Sequence, residues 1–277
     1  MFTLVVGTGY TGRRVLESLP QASSAGLNRS PIESTHTVMQ YDLDDDADLP
    51  LELPDDYAVV YTVPPNPDKS GYSGFLNRLS PLPKRFIYIS TTGIYGDRGG
   101  AIVTEATRPR PESDRARRRA AAERVLLEWA AFNGSSLVLL RVPGIYGPGR
   151  LYLERIEQGT PILREEDANP GNRIHVDDLA RCCLAALQED VPAGIYNVGD
   201  GDKRSTTWFI REIARQAGLP APPVISLAQA KQEFSATRLS FLVESRRVDT
   251  TKMREVLGVI PTYSNPEQGI SASLTDD

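Results

Sequence analysis

The chain predicts an α/β fold with a parallel, doubly wound sheet, on three observations. Apolar runs of strand length recur at Thr3–Val6, Ala58–Val63, Arg85–Ser90 and Leu137–Val142, with helical patterns between several of them. Such alternation belongs to parallel sheets covered by helices. The first run leads straight into Gly7-Thr-Gly9-Tyr-Thr-Gly12, and a helical pattern begins there. No internal repeat and no low-complexity tract beyond Pro220–Pro223 interrupts the pattern.

In order along the chain, the first helix is expected from about Tyr10 to Leu19, stopped by Pro20. Ala25–Arg29 and Val38–Tyr41 read as short second and third strands, and the acidic run Asp42–Asp48 as a solvated loop. The longest helix is expected over Ser113–Phe132, with Ser113 or Asp114 as its cap and Asn133-Gly134 closing it. Ala121, Val125 and Trp129, with Ala122 and Leu126 beside them, give its apolar stripe. Residues 143–172 are rich in Gly, Pro and charge and predict one short helix, Leu151–Gln158. Residues 174–187 read as a strand plus a helix, and Thr206–Ala217 as an amphipathic helix closed by Gly218. Asp249 is expected to cap a last helix that ends at Gly258.

Composition narrows the function classes. The 277 residues carry 40% apolar and 24% charged side chains, with a formal net charge of −5. That balance argues against a nucleic-acid surface. No window approaches the roughly 18 apolar residues of a membrane span. The first residues already form a core strand without a basic leader, so no signal peptide is expected. Cys182 and Cys183 are neighbours on a predicted helix and poorly placed to pair; with His36 and His175 they show no zinc-ligand spacing, so no metal is expected. A reducing cytoplasm is the expected location.

Gly7-x-Gly9-x-x-Gly12, between strand and helix, is the dinucleotide-binding fingerprint in its required setting. Gly7 permits the tight turn, Gly9 lets backbone approach a pyrophosphate, and Gly12 lets helix and strand pack closely. Tyr10 and Thr11 complete the helix start, whose N–H groups and dipole favour phosphate. At the close of strand two an acid would bond the ribose 2′-OH of NAD, and an Arg would accept the 2′-phosphate of NADP. Asn28-Arg29-Ser30 stands there, with no Asp or Glu between residues 18 and 32. NADP(H) is therefore expected over NAD(H). Asp42-Leu43 would lie beside the adenine, and Thr62-Val63-Pro64 near the cofactor's middle. Ser90 and Pro143, at later strand ends, complete the expected cofactor contacts.

Further stretches at strand ends are Ile89-Ser-Thr-Thr-Gly-Ile-Tyr-Gly96, Leu140-Arg-Val-Pro-Gly-Ile-Tyr-Gly-Pro-Gly149, Arg173-Ile-His-Val-Asp-Asp-Leu-Ala180 and Ile195-Tyr-Asn-Val-Gly199. Together with Gly7–Gly12 and Glu123, this set resembles the extended and atypical short-chain dehydrogenases/reductases, the group that contains the NAD-dependent epimerase/dehydratases. The resemblance spans nearly the whole chain. It implies a Rossmann domain of residues 1–143 plus 174–194, and a small discontinuous C-terminal substrate lobe of 144–173 plus 195–277. It also implies that Thr91, four before Tyr95, bonds the reacting oxygen. The family's acid/base pair is Tyr-x-x-x-Lys with a Glu four residues later. Glu123 fits that Glu, which puts Arg119 at the Lys and Arg115 at the Tyr. No tyrosine lies within residues 97–145 to restore the pair.

A guanidinium keeps its proton in proteins, so the family mechanism does not transfer unchanged. Three readings stay open. Arg115 or Arg119 clamps an oxyanion or acidic substrate; another group, Tyr95, Tyr146 or His175, supplies the proton; or the site holds cofactor without redox chemistry, as a redox sensor or partner module. Tyr146, Arg150 and His175 are the expected substrate contacts, with Arg150, Arg164 and Arg173 as candidates for an anionic group. The leading expectation is an NADP(H)-dependent oxidoreductase of a small, anionic carbonyl or alcohol substrate. Sugar epimerase or dehydratase chemistry is a further alternative, although the short C-terminal part argues against a full nucleotide-sugar pocket. A small-molecule substrate, no nucleic acid, no membrane and a homodimer complete the expectations.

Overall fold

The computed structural model describes residues 1–45, 47–66 and 72–275. Seven parallel strands form its centre: β1 (Phe2–Val6), β2 (Ser24–Asn28), β3 (Val38–Gln40), β4 (Tyr57–Tyr61), β5 (Arg85–Thr91), β7 (Ser136–Val142) and β11 (Gly194–Asn197). Between β5 and β7 lies the two-residue β6 (Ile102–Val103); β8 (Gly144–Tyr146), β9 (Ile162–Leu163) and β10 (Arg173–His175) precede β11; and β12 (Val224–Ile225) and β13 (Arg247–Val248) follow it. The central order is β3-β2-β1-β4-β5-β7-β11. Strand order reverses beside β1, whose register sets Val5 against Gly26 of β2 and Val60 of β4. The gap between the loops after β1 and β4 is thus the switch point where doubly wound sheets take ligands.

Because strand side chains alternate, the sheet builds two cores. Val5, Val60, Ile87, Val138 and Leu140 face α1 (Tyr10–Glu17) and α5 (Val176–Ala186), which supply Val15, Leu16, Leu179, Cys182 and Cys183. Both thiols are unpaired, and burial pushes them up from their ordinary pKa. Leu4, Val59, Tyr61, Phe86 and Tyr88 face α2 (Tyr72–Asn77) and α3 (Asp114–Asn133).

Ser113 caps α3, its Oγ accepting from Ala116 N at 3.3 Å, and Gly134 closes it at φ 68°. The buried stripe of α3 runs through Ala116, Ala122, Glu123, Leu126 and Ala130, while Ala121 faces solvent. The expected stripe is therefore rotated by one residue, because Glu123 turns inward to a buried partner.

A third apolar cluster joins Tyr146, Leu151 and Ile156 near α4 (Leu153–Glu157) to Phe209 and Ile213 of α6 (Thr206–Gln216) and to Ile270. The segment after α6 holds two helices the sequence reading did not anticipate, α7 (Leu227–Glu233) and α8 (Ala236–Val243). Asp249 Oδ1 accepts from Thr251 N at 2.8 Å, but the helix it starts, α9, covers only Thr251–Glu255. Nor is α9 the last helix: α10 (Pro266–Thr275) follows. Its Gly269 lies against the Tyr146 ring, where a Cβ would come within 2.3 Å of the hydroxyl. That helix is held by this close approach and by only two apolar residues, Ile270 and Leu274, which is too short a stripe for periodicity to show. Among the described residues no helix is long and apolar enough to cross a membrane, and no group of three or more His, Cys, Asp or Glu could hold a metal.

Candidate dinucleotide and active site

The switch point opens into a crevice of about 380 Å³ lined by Gly7, Asn28, Arg29, Asp42, Leu43, Asp44, Val63 and Pro64. Its floor depends on absent side chains. Gly7 sits at φ 87°, where a Cβ would also lie 2.5 Å from Val63 Cγ2. A Cβ on Gly12 would be 2.0 Å from Gly7 O, so only glycine lets α1 pack this close. Gly9 differs: a Cβ there would meet nothing within 4 Å. It caps α1 without a side-chain bond, and the first turn carries no acid. Thr62 Oγ1 donates to Gly7 O at 2.6 Å and ties the two loops together. Thr8 Oγ1, in the same turn, is buried without a partner among the described residues. An open cradle at Gly9, beside an acid-free helix start, is what a dinucleotide pyrophosphate requires.

At the adenosine end, Asn28 Nδ2 donates to Ser30 O at 2.8 Å, and Arg29 and Ser30 are exposed at the rim. The acidic run is only partly solvated. Asp42 and Asp44 are half-buried in the crevice wall, with Asp42 Oδ1 accepting from Asp44 N at 3.0 Å and Asp44 Oδ2 from Asn66 Nδ2 at 2.6 Å. Asp46 lies outside the described residues.

Outside the lining of this crevice, at the ends of β5 and β7, a second cluster is built from charged and polar side chains. Buried Glu123 on α3 receives Arg141 Nη2 at 2.8 Å and Nε at 3.2 Å, and Ser90 Oγ also donates to it. Arg141 Nη1 donates to Tyr95 OH at 2.9 Å, and that hydroxyl donates to Asn197 Oδ1 at 2.7 Å. Tyr95 is fully buried, and burial raises its pKa against the opposing pull of Arg141. Thr91 is half-buried; its Oγ1 accepts from Gly93 N at 3.1 Å. Arg119 Nη1 is pinned to Ile89 O at 2.7 Å and Tyr88 OH at 2.9 Å.

Arg115 lies one helical turn earlier, on the solvent side. Partial burial of its guanidinium lowers its pKa, opposed by Glu244 and reinforced by Arg119, Arg246 and Arg118. Glu244 and Arg246 were not anticipated. The strap that carries them reaches the turn after β5 through the β6–β13 pair, and Arg246 Nη1 donates to Glu244 Oε2 at 2.8 Å and Gly96 O at 2.9 Å. The charged run 244–247 was their one sequence signal.

Tyr146 and His175 do not reach the crevice. Both are buried in the C-terminal cluster, their rings 5.2 Å apart. His175 caps α5: Nδ1 accepts from Asp177 N at 3.3 Å, so in the neutral ring Nε2 carries the proton and faces Ser273 Oγ at 3.1 Å. Tyr146 OH has no partner among the described residues, and burial raises its pKa. Arg173 and Arg164 are engaged elsewhere, Arg173 with Asp202 at 3.1 Å and Arg164 with Glu166 and Asp167 at 3.4 Å. Beside Arg173, burial pushes the Asp200 carboxyl up to about 7 against the pull of that guanidinium. Pro143 is half-buried after β7, and Arg150 is exposed over the Tyr10 ring.

Fold, fingerprint and switch-point crevice define a Rossmann dinucleotide-binding protein. Comparison with known sequences narrows the class: the pattern of the NAD dependent epimerase/dehydratase family matches residues 78–199. A protein from Sinorhizobium fredii, y4nG, is 26% identical over 206 residues, 68% of this chain and 52% of the relative, so the match spans about half of that relative's length. A conserved protein of unknown function from Silicibacter pomeroyi has a structure with TM-score 0.83 and 27% identity, over 99% of this chain and 98% of its own. Thermus thermophilus UDP-glucose 4-epimerase in complex with NAD shares the fold at TM-score 0.78 and 22% identity, over 99% and 98% of the two chains. Residues 78–199 of this chain are thus similar to the NAD dependent epimerase/dehydratase family.

Proposed function

We propose that this protein is an NADP(H)-dependent oxidoreductase of a small, anionic carbonyl or alcohol substrate. The observation that carries the reading is the pair of guanidiniums at the catalytic end, Arg119 pinned to β5 and Arg115 one turn away, where the family places a phenol and an ammonium. The backbone of Gly7, Gly9, Tyr10, Thr11 and Gly12 would take the pyrophosphate. Arg29, Asn28 and Ser30 would take the 2′-phosphate, Asp42-Leu43 the adenine, and Thr62, Val63, Pro64 and Pro143 the middle and nicotinamide end. Ser90 supports that end through Glu123. Bound there, the nicotinamide would give or accept a hydride.

The chain's own residues would orient the substrate and stabilise charge. Thr91 Oγ1 already accepts from Gly93 N, which leaves its proton for the substrate oxygen. Arg115 stabilises the developing alkoxide or a neighbouring carboxylate, and its guanidinium stays protonated throughout. Water at the crevice mouth exchanges the proton. Substrate would be held between the Rossmann domain and residues 144–173 and 195–277. A second reading, cofactor binding without redox chemistry, is favoured by one fact: the acid–base candidates Tyr95 and His175 are both buried and engaged. Nucleotide-sugar epimerase chemistry lacks the same proton relay.

Calorimetry with NADPH, NADP, NADH and NAD, followed by turnover on paired carboxylated and neutral carbonyls, tests the reading. We expect NADPH preference and turnover of carboxylated members. In that assay Arg115→Ala lowers turnover by about 100-fold, a typical cost of one oxyanion contact, with NADPH affinity within about twofold of wild type. Tight NADPH binding with no turnover on any member selects the second reading.

A further inference from the structure

We propose that Arg150 is a phosphate clamp for the dinucleotide, a guanidinium carried by the loop after β8 and held against the first residue of α1. The inference rests on the dinucleotide reading above and moves Arg150 from the substrate to the cofactor.

The loop is pressed onto α1 by contacts that leave little freedom. Tyr10 OH donates to Pro148 O at 2.9 Å. Gly147 sits at φ 150°, where a Cβ would lie 2.6 Å from Tyr10 OH and 2.7 Å from Val176 Cγ1. Arg150 N donates to Gly147 O at 2.9 Å and closes the turn. The Arg150 guanidinium carbon then stands 4.0 Å from the Tyr10 ring centroid.

A second arginine touches the same ring, and the contrast is informative. Arg14 lies 4.5 Å from the centroid, but its Nε donates to Asp177 Oδ1 and its Nη1 to Tyr10 O, each at 3.1 Å. Arg14 is therefore neutralised and fixed. Among the described residues no carboxylate lies within ion-pair distance of Arg150, and the residue is exposed. Stacking on an aromatic ring occupies the flat face of a guanidinium and leaves its edge of N–H donors available. That edge matches a phosphate in bidentate geometry.

Tyr10 directly follows Gly9, whose missing side chain leaves an open cradle at the helix start. Thr8 Oγ1, on the other side of Gly9, is buried and has no partner among the described residues. Pyrophosphate in the cradle would meet backbone N–H groups on one side and Arg150 on the other. The C-terminal segment would then close on the cofactor through the Tyr10 stack.

The test is calorimetric binding of NADPH and NADH to wild type, Arg150→Ala and Arg150→Lys. Both dinucleotides carry the pyrophosphate, so Arg150→Ala should weaken both by the same factor, about tenfold for a lost charge-assisted bond. Arg150→Lys should recover part of the loss, and the difference between wild type and Arg150→Ala should shrink in high salt. Binding of both dinucleotides to Arg150→Ala within twofold of wild type overturns the clamp while the dinucleotide reading stands. A loss confined to NADPH also overturns it, since Arg150 would then read the 2′-phosphate. Wild type that binds neither dinucleotide fails the underlying reading, and the clamp with it.

Discussion

The glycine turn at the switch point and the charged cluster at the ends of β5 and β7 are built on opposite principles. The cofactor end is a surface of backbone and small residues, where Gly7 and Gly12 leave no room for a Cβ and Gly9 leaves open space. The charged cluster is a network in which buried Glu123 holds Arg141 and Ser90, and Arg141 holds Tyr95. Recognition of a phosphate needs close approach of peptide N–H groups, which a side chain would block. Orientation around a reacting atom needs directed polar groups, and buried ones must be fully paired. A substitution at Gly9 should therefore remove a ligand and keep the fold, and one in the charged cluster should threaten the fold itself.

The largest effect that would break this contrast is at Glu123. Glu123→Ala leaves Arg141 buried without its carboxylate, and we expect a loss of about 3–5 kcal/mol in denaturant unfolding. A loss below about 1 kcal/mol would show that the network is not structural. Gly9→Val is the counterpart. The added carbons enter open space, so the melting temperature should stay within about 3 °C of wild type, whereas dinucleotide affinity falls by at least about 100-fold. Retained affinity would make the fingerprint decorative.

Asp200 sharpens the contrast by pH. Its folded pKa, pushed by burial to about 7, lies above the ordinary value of 3.8. The folded state therefore holds a proton that the unfolded state has released across that window. Its contribution is complete below the ordinary pKa and lost as pH rises through the folded one. Wild type should lose stability relative to Asp200→Asn between about pH 4 and 7, by about 4 kcal/mol; parallel stability–pH curves would refute this. The smallest effect is at the rim. Arg29→Glu should weaken NADPH about tenfold more than NADH, and equal losses would remove Arg29 from the 2′-phosphate site.

Much of the cofactor end was legible in the sequence because its signals are local. The turn Gly7–Gly12 needs only neighbouring residues to take its shape, and the helix after it starts at Tyr10 as the pattern predicts. The strand starts at Arg85 and Ser136 lie within a residue of the expected positions, since apolar runs of that length serve a sheet buried on both faces. The catalytic end was legible only as a departure, an Arg at each place where a phenol and an ammonium were expected.

By itself the sequence determined the doubly wound sheet, the glycine turn, a helix cap at Ser113 or Asp114 and the absence of an acid after β2, because each is a property of residues close together in the chain. Only tertiary structure decided that Tyr95, Tyr146 and His175 are buried, that Arg246 and Glu244 meet Arg115 and the turn after β5, and that α10 packs through Gly269 onto Tyr146. Those outcomes depend on which distant segments meet: a hydroxyl or imidazole has the same chemistry in a crevice or a core until its neighbours take its hydrogen bonds.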